Sequence, residues 1–344
     1  MNIEATMRHL KNLCALTGIS GREDAVRDYL RAAVEAAPAQ TTVTTDALGN
    51  LLVQVTGARR AARKLLFAAH MDEVGFLVTG ITDEGYLRFT PVGGVDAAVV
   101  YGRRVLVNGL PGVIGGKAKH LCSEDEQKNV PAFSKLLIDI GAADRAQAEA
   151  LVRPGDAAVF DSEWTALEGG RFKARALDDR AGCALLLSLL EKTPPVDLTL
   201  AFTVQEEIGL RGAKTAAYAI QPDVAVVVDA TTAADTVGVA ADKQVCRVGG
   251  GAVVSFMDNR TLYDKALYDM ILDAAAREGI KAQPKTMVAG GNDAGAIQLV
   301  GHGARVAAVS LPCRYIHSPS CVLAEEDIAQ TQALLRVLAR ELAV

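Results

Sequence analysis

"KLLFAAHMDEVGF", residues 64–76, is apolar without alternation from Leu65 to Ala69 and then stops on His70, Asp72 and Glu73. A run with no polar face reads as a strand buried on both sides, the form taken in a parallel sheet covered by helices. Polar groups at the end of such a strand fall where an open α/β sheet binds its ligands, in the crevice beyond the carboxyl ends of the strands.

Upstream, Ile3, Met7, Leu10 and Cys14 recur at helical spacing within residues 2–17, and Gly18 follows as a stop signal. Val26, Tyr29, Leu30 and Val34 repeat the pattern within 22–36. Short strands are predicted at 41–44 and 51–56, on either side of the turn-rich "DALGN".

Downstream the texture changes. Short β-like runs, "FLVTGIT", "YLRFTPV", "RRVLVNG" and "GVIGG", are separated by glycine turns, and the polar "HLCSEDEQKNVP" reads as an exposed loop. From about Arg171 helices and strands alternate. Helices are predicted at 180–191, 210–219, 262–278, 294–299 and 325–342. Strands are predicted at 198–204 and 224–229, in the strand-like "TMVA" and in "ARVAAVSL". The simplest account is an α/β domain made of residues 1–73 and 170–344, with a β-rich domain, 74–169, inserted.

Bulk properties narrow the classes. A chain of 344 residues suggests about two domains, and 22% charged with a net charge of −5 is ordinary for a globular protein. With no basic block, neither nucleic acid nor an anionic membrane is an expected partner. No apolar run is long enough to span a bilayer, and the N-terminus is polar, so the expected location is cytoplasmic. Six cysteines without a CxxC pair read as buried thiols.

Several other elements also end on polar groups. "LTLAFTV" runs into Glu206-Glu207, "VAVVVD" ends on Asp229, "ARVAAVSLPCRYIH" leads to His317, and Asp178-Asp179 open a helix. Singly, each carboxylate reads as a turn former or helix cap. Jointly, two imidazoles and three carboxylates suit two Zn²⁺ or similar ions, with one carboxylate bridging. On an extended segment Glu206 and Glu207 point apart, so one can bind metal while the other carries protons.

With "AAHMDEVGF", "ARALDDRAGC", "TVQEEIGLRGA", "GGNDAGAIQL" and "SLPCRYIHSPS" together, the chain resembles the tetrahedral aminopeptidases. That group of dinuclear metallopeptidases, metallopeptidase family forty-two, includes glutamyl aminopeptidases and proteins labelled endoglucanases. The resemblance implies a three-layer, mixed-sheet, zinc-peptidase-like α/β catalytic domain with an inserted small β-barrel-like dimerisation domain. It implies a metal-dependent aminopeptidase removing N-terminal residues from short peptides. It also implies two divalent ions per chain (Zn²⁺ or Co²⁺, with Mn²⁺ possible) and dimers assembling into a tetrahedral dodecamer.

Carried over by position, His70, Asp178 and Asp229 hold one ion, and Glu207, His317 and the bridging Asp178 hold the other. Glu206 is the general base for a water between them. Asp72 fixes the His70 ring, and a cis peptide follows Asp178. The alternatives are a metal-independent glycoside hydrolase, an N-acyl deacylase and an inactive metal-binding assembly module.

Weaker signals have two readings each. "VGGGAVV" marks close backbone approach rather than an anion cradle. "GGNDAGA" lines the pocket or starts a helix capped by Asn292 or Asp293. Arg314 contacts substrate or forms a salt bridge. His9, His120 and His302 read as satisfied core residues.

Overall fold

The computed structural model describes residues 3–342. Its strands are β1 Thr41–Thr45, β2 Leu51–Val55 and β3 Leu65–His70. Next come β4 Gly75–Ile81, β5 Leu87–Val92, β6 Arg104–Val107, β7 Leu110–Gly115, β8 Leu137–Asp139 and β9 Ala157–Phe160. They continue with β10 Thr165–Leu167, β11 Arg171–Ala174, β12 Leu198–Thr203, β13 Val224–Thr232, β14 Ala252–Val254, β15 Ala282–Pro284, β16 Arg305–Cys313 and β17 Cys321–Ala324. The helices are α1 Ile3–Ala15, α2 Asp24–Glu35, α3 Glu124–Lys128, α4 Arg145–Glu149, α5 Leu177–Ser188, α6 Arg211–Ile220, α7 Lys265–Arg277, α8 Ala294–Ile297 and α9 Glu325–Glu341.

The large sheet runs β1-β2-β12-β3-β13-β16-β14-β15, and its central strands β12, β3, β13 and β16 are parallel. Strand β3 explains the layering. Leu65, Phe67 and Ala69 face a core shared with α1, α2, α5 and α9, whereas Leu66 and Ala68 face one shared with α6 and α8. Successive side chains point to opposite faces, so a strand buried on both sides must be apolar throughout. Because the central strands are parallel, their carboxyl ends share one edge.

The six strands β4 to β9 close a barrel in the order β4-β5-β8-β7-β6-β9. Phe76 fills its centre, with ring centroids 5.2 Å from both Phe89 and Phe160 in edge-on contact. Strand β10 leaves the barrel and joins β11 and β17 in a separate three-stranded sheet.

Some expectations are corrected. "TMVA" is not a strand; the extended segment is β15, Ala282–Pro284, just before it. Strand β13 does not end on Asp229 but continues to Thr232, because it pairs with β16 as far as Cys313. The polar loop after His120 contains the one-turn helix α3, closed by a capping box between Ser123 and Glu126. His120 and His302 are exposed rather than core, whereas His9 is half-buried with its Nδ1 2.9 Å from the Tyr29 hydroxyl. Five cysteines are buried thiols and Cys122 is half-buried; all six are free.

Candidate active site

Strand β3 delivers His70 to the carboxyl edge of the sheet. The His70 Nδ1 lies 3.1 Å from the backbone carbonyl of Asp72. A carbonyl only accepts, so Nδ1 carries the proton and Nε2 presents a lone pair. That lone pair faces oxygens: Asp178 Oδ1 at 3.0 Å and Asp229 Oδ1 at 3.7 Å.

The same arrangement recurs at His317, which follows β16 in left-handed backbone at φ 59°. Its Nδ1 donates to the Gly94 carbonyl at 3.0 Å. Its Nε2 faces Asp178 Oδ2 at 3.3 Å and Glu207 Oε1 at 3.2 Å. Asp178 therefore offers one carboxylate oxygen to each imidazole. The peptide between Asp178 and Asp179 is cis.

Lone pairs aimed at carboxylates repel unless a proton or cation lies between them. Two unit charges about 4 Å apart interact by about 4 kcal/mol at an effective dielectric constant near ~20. Four carboxylates line this cavity: Asp178, Glu206, Glu207 and Asp229. Burial, with the charge of Asp178 added, pushes Asp229 up to about 7. Burial disfavours the cationic ring of His317, yet Asp178 and Glu207 outweigh it and lift the ring to about 12. Burial, reinforced by Asp293, Asp229 and Glu207, holds Glu206 well above the usual carboxylate range.

Glu207 Oε1 is buried and accepts no hydrogen bond. Ligand atoms of His70, Asp178 and Asp229, and of Asp178, Glu207 and His317, converge within 4.8 Å in each group; His70, Glu206 and Glu207 form a third such group. Divalent cations fit this donor set, since mixed imidazole and carboxylate ligands suit Zn²⁺, Co²⁺ or Mn²⁺.

The carboxylate of Asp72 does more than sit behind His70, although its Oδ1 is 3.4 Å from the ring Nδ1. It accepts the backbone N–H of Glu206 at 3.0 Å and of Glu207 at 3.1 Å, and the Ser20 hydroxyl at 2.6 Å. Glu23 accepts the N–H of Gln205 at 3.0 Å, and Gln205 adopts φ 57°. Such left-handed backbone costs about 1–3 kcal/mol and persists only where neighbours hold it. Ser20 and Glu23 gave no sequence signal, because their partners lie far along the chain. Asp179 accepts the His70 N–H at 3.2 Å and the Gly182 N–H at 2.9 Å; a Cβ at Gly182 would collide with that carboxylate.

Among the weaker candidates, Arg314 is occupied by Asp235, at 2.6 and 2.7 Å. In the glycine run 249–251, the N–H groups of Gly249 and Gly251 point at Asp327, both at 2.7 Å. A Cβ on Gly251 would strike the Lys281 carbonyl, so close backbone approach is the reason for glycine there. Gly290, Gly291 and Asn292 line the site cavity, and the Asn292 side chain accepts the Ala294 N–H at 2.9 Å at the start of α8.

The sequence pattern of the M42 glutamyl aminopeptidase family matches residues 49–334. The chain belongs to that family. It is 34% identical to the glutamyl aminopeptidase of Lactococcus lactis over 96% of this chain and 94% of the relative. It is 30% identical to the lysyl aminopeptidase of Pyrococcus furiosus, covering 97% and 96%. A solved Pyrococcus horikoshii TET1 peptidase, described as assembling into a tetrahedron or a large octahedral shell, superposes with a TM-score of 0.85 at 36% identity, covering 97% of this M42 chain and 99% of that one. No helix among the described residues is long and apolar enough to cross a membrane.

Proposed function

We propose that this cluster hydrolyses the first peptide bond of short peptides. His70, Asp178 and Asp229 hold one divalent ion, and Asp178, Glu207 and His317 hold a second. The chain is a metal-dependent aminopeptidase. Divalent ions bound there supply a Lewis acid for the scissile carbonyl and bring the pKa of water near ~7.

The protein's own groups do the rest. Glu206 takes the proton of the attacking water on its carboxylate and passes it to the nitrogen of the departing peptide. Asp72, Ser20 and Glu23 hold the 205–207 turn, so the proton carrier stays beside the ligand Glu207. The Asp72 and Gly94 carbonyls fix the two imidazoles with Nε2 inward.

The observation carrying this reading is Asp178, with one oxygen toward His70 and the other toward His317. Zn²⁺ or Co²⁺ suits the donors best, and Mn²⁺ also suits them. A metal-independent glycosidase needs two carboxyl groups and gives the inward-facing imidazoles no task. The test is Glu206→Gln. It is expected to keep its metal content by elemental analysis while turnover of aminoacyl-p-nitroanilides falls about 10²–10⁴-fold. Full activity in that variant overturns the role of Glu206.

We also assign residues 74–169 as the inserted dimerisation domain of a homo-oligomer, with the tetrahedral dodecamer as its form. Leu121, Val130 and Leu151 in that segment are each more than half exposed, which suits a surface covered by another copy. The expected location is the cytoplasm.

A further inference from the structure

A second cavity, of ≈ 460 Å³, opens between the start of α6 and helix α8. Arg211, Lys214 and Arg260 line it, Leu299 forms an apolar wall, and no acidic residue takes part. Among the described residues none of these three cations is in an ion pair, and Arg260 is hydrogen-bonded only through its backbone. Three like charges around one space repel each other, and an anion among them relieves that repulsion. A carboxylate suits the place, because a guanidinium can pair with it through two parallel N–H bonds.

This cavity adjoins the site on the side of Glu206. The N–H groups of Gly209 and Leu210 both donate to the Glu206 carbonyl at 2.9 Å, so one tight turn joins the proton carrier to the basic wall. Arg211 follows directly, its N–H 3.2 Å from the Gln205 carbonyl. From the other direction, the Arg260 side chain lies against Gly291, which lines the metal-site cavity. A Cβ at Gly291 would come within 2.4 Å of the arginine Cγ, so glycine is what lets the two cavities lie back to back.

Resting on the aminopeptidase reading above, we propose that Arg211, Lys214 and Arg260 receive the C-terminal carboxylate of a short peptide whose first bond lies at Glu206. Glu206 gives its proton to the nitrogen of the departing peptide, so the residues beyond that bond extend from its side of the site. Every unmodified peptide ends in a carboxylate, so this contact reads length rather than sequence. At about 3.3–3.6 Å per extended residue, only a narrow range of lengths brings the chain end among the cations.

The test compares kcat/KM for Leu-(Ala)n peptides of two to six residues, each as the free acid and as the C-terminal amide. The enzymes are the metal-loaded wild type, Arg211→Gln, Lys214→Gln, Arg260→Gln and Arg211→Lys, with circular dichroism and metal content checking that each is folded. The wild type is expected to favour the free acid by about five- to tenfold at one length, with the advantage fading in longer peptides and at high salt. That acid/amide ratio should fall toward one in the glutamine variants and be largely kept in Arg211→Lys. A wild type that treats acid and amide alike at every length overturns the proposal, as do glutamine variants that keep the wild-type ratio. So does an advantage that follows an acidic side chain, seen as Leu-Ala-Glu amide outpacing Leu-Ala-Ala amide as much as the free acid does. In all these cases turnover of aminoacyl-p-nitroanilides, which carry no carboxylate, leaves the aminopeptidase reading standing. Absence of turnover with every aminoacyl substrate overturns that reading as well.

Discussion

Glu73 is 3% exposed and lies against the guanidinium groups of Arg175 and Arg180, while accepting the Gly18 N–H at 3.2 Å. The three polar groups that end the opening strand thus have separate tasks: His70 faces the cluster, Asp72 holds the Glu206-Glu207 turn, and Glu73 neutralises two buried cations. Glu73→Ala leaves both arginines without their carboxylate, so it is expected to destabilise the fold by about 3–5 kcal/mol, measured as a lowered midpoint in urea unfolding. An unchanged midpoint would contradict that assignment. Asp72→Ala frees the turn without removing a ligand, so turnover should fall about 10–100-fold in protein that stays folded. His70, Asp178, Glu207, Asp229 and His317 were legible because each stands where an apolar run stops or a helix opens. Ser20 and Glu23 were not, since a polar residue in a loop looks the same whether or not a distant turn leans on it.

Elements long enough to show a period were read well. Strand β3 and helices α1, α2, α7 and α9 carry clear apolar patterns, whereas β14, β15 and β17 are three or four residues long and carry none. Their identity is set by neighbours: β15 exists because β14 pairs with it in parallel. Asp264 shows one element clamping another. It caps α7 through the Leu267 N–H at 2.9 Å and pairs with Arg305 of β16 at 2.8 and 3.0 Å. Arg305 holds the Asp264 carboxyl down at about 2, below its ordinary 3.8. A depressed folded-state value means this stabilisation is complete above the ordinary value and lost as pH falls through about 2. Asp264→Asn is therefore expected to lower the unfolding temperature at pH 7, with the gap to wild type closing on acidification toward pH 2. A gap that persists there would mean the carboxylate charge is not what stabilises. In the barrel, Phe76 is wholly buried, and Phe76→Ala is expected to cost about 3–5 kcal/mol in the same unfolding measurement.

At the scale of the whole molecule, chain topology makes the site. Parallel strands β3, β12, β13 and β16 bring residues 70, 206–207, 229 and 317 to one edge, and α5 adds Asp178 beside them. That convergence could be argued from strand ends alone, but distances between side chains could not, because they depend on register between strands far apart in sequence. Assembly belongs to this scale too. Mass photometry is expected to find a particle of about twelve chains, and a monomer at every concentration would contradict the role given to residues 74–169. The account as a whole rests on a pair of cations shared by Asp178. An anomalous-difference map from crystals grown with Zn²⁺ and recorded at the zinc edge tests it most directly. Two peaks are predicted, one on the His70 and Asp229 side of the Asp178 carboxylate and one on the Glu207 and His317 side. Peaks elsewhere, or none at Asp178, would contradict it.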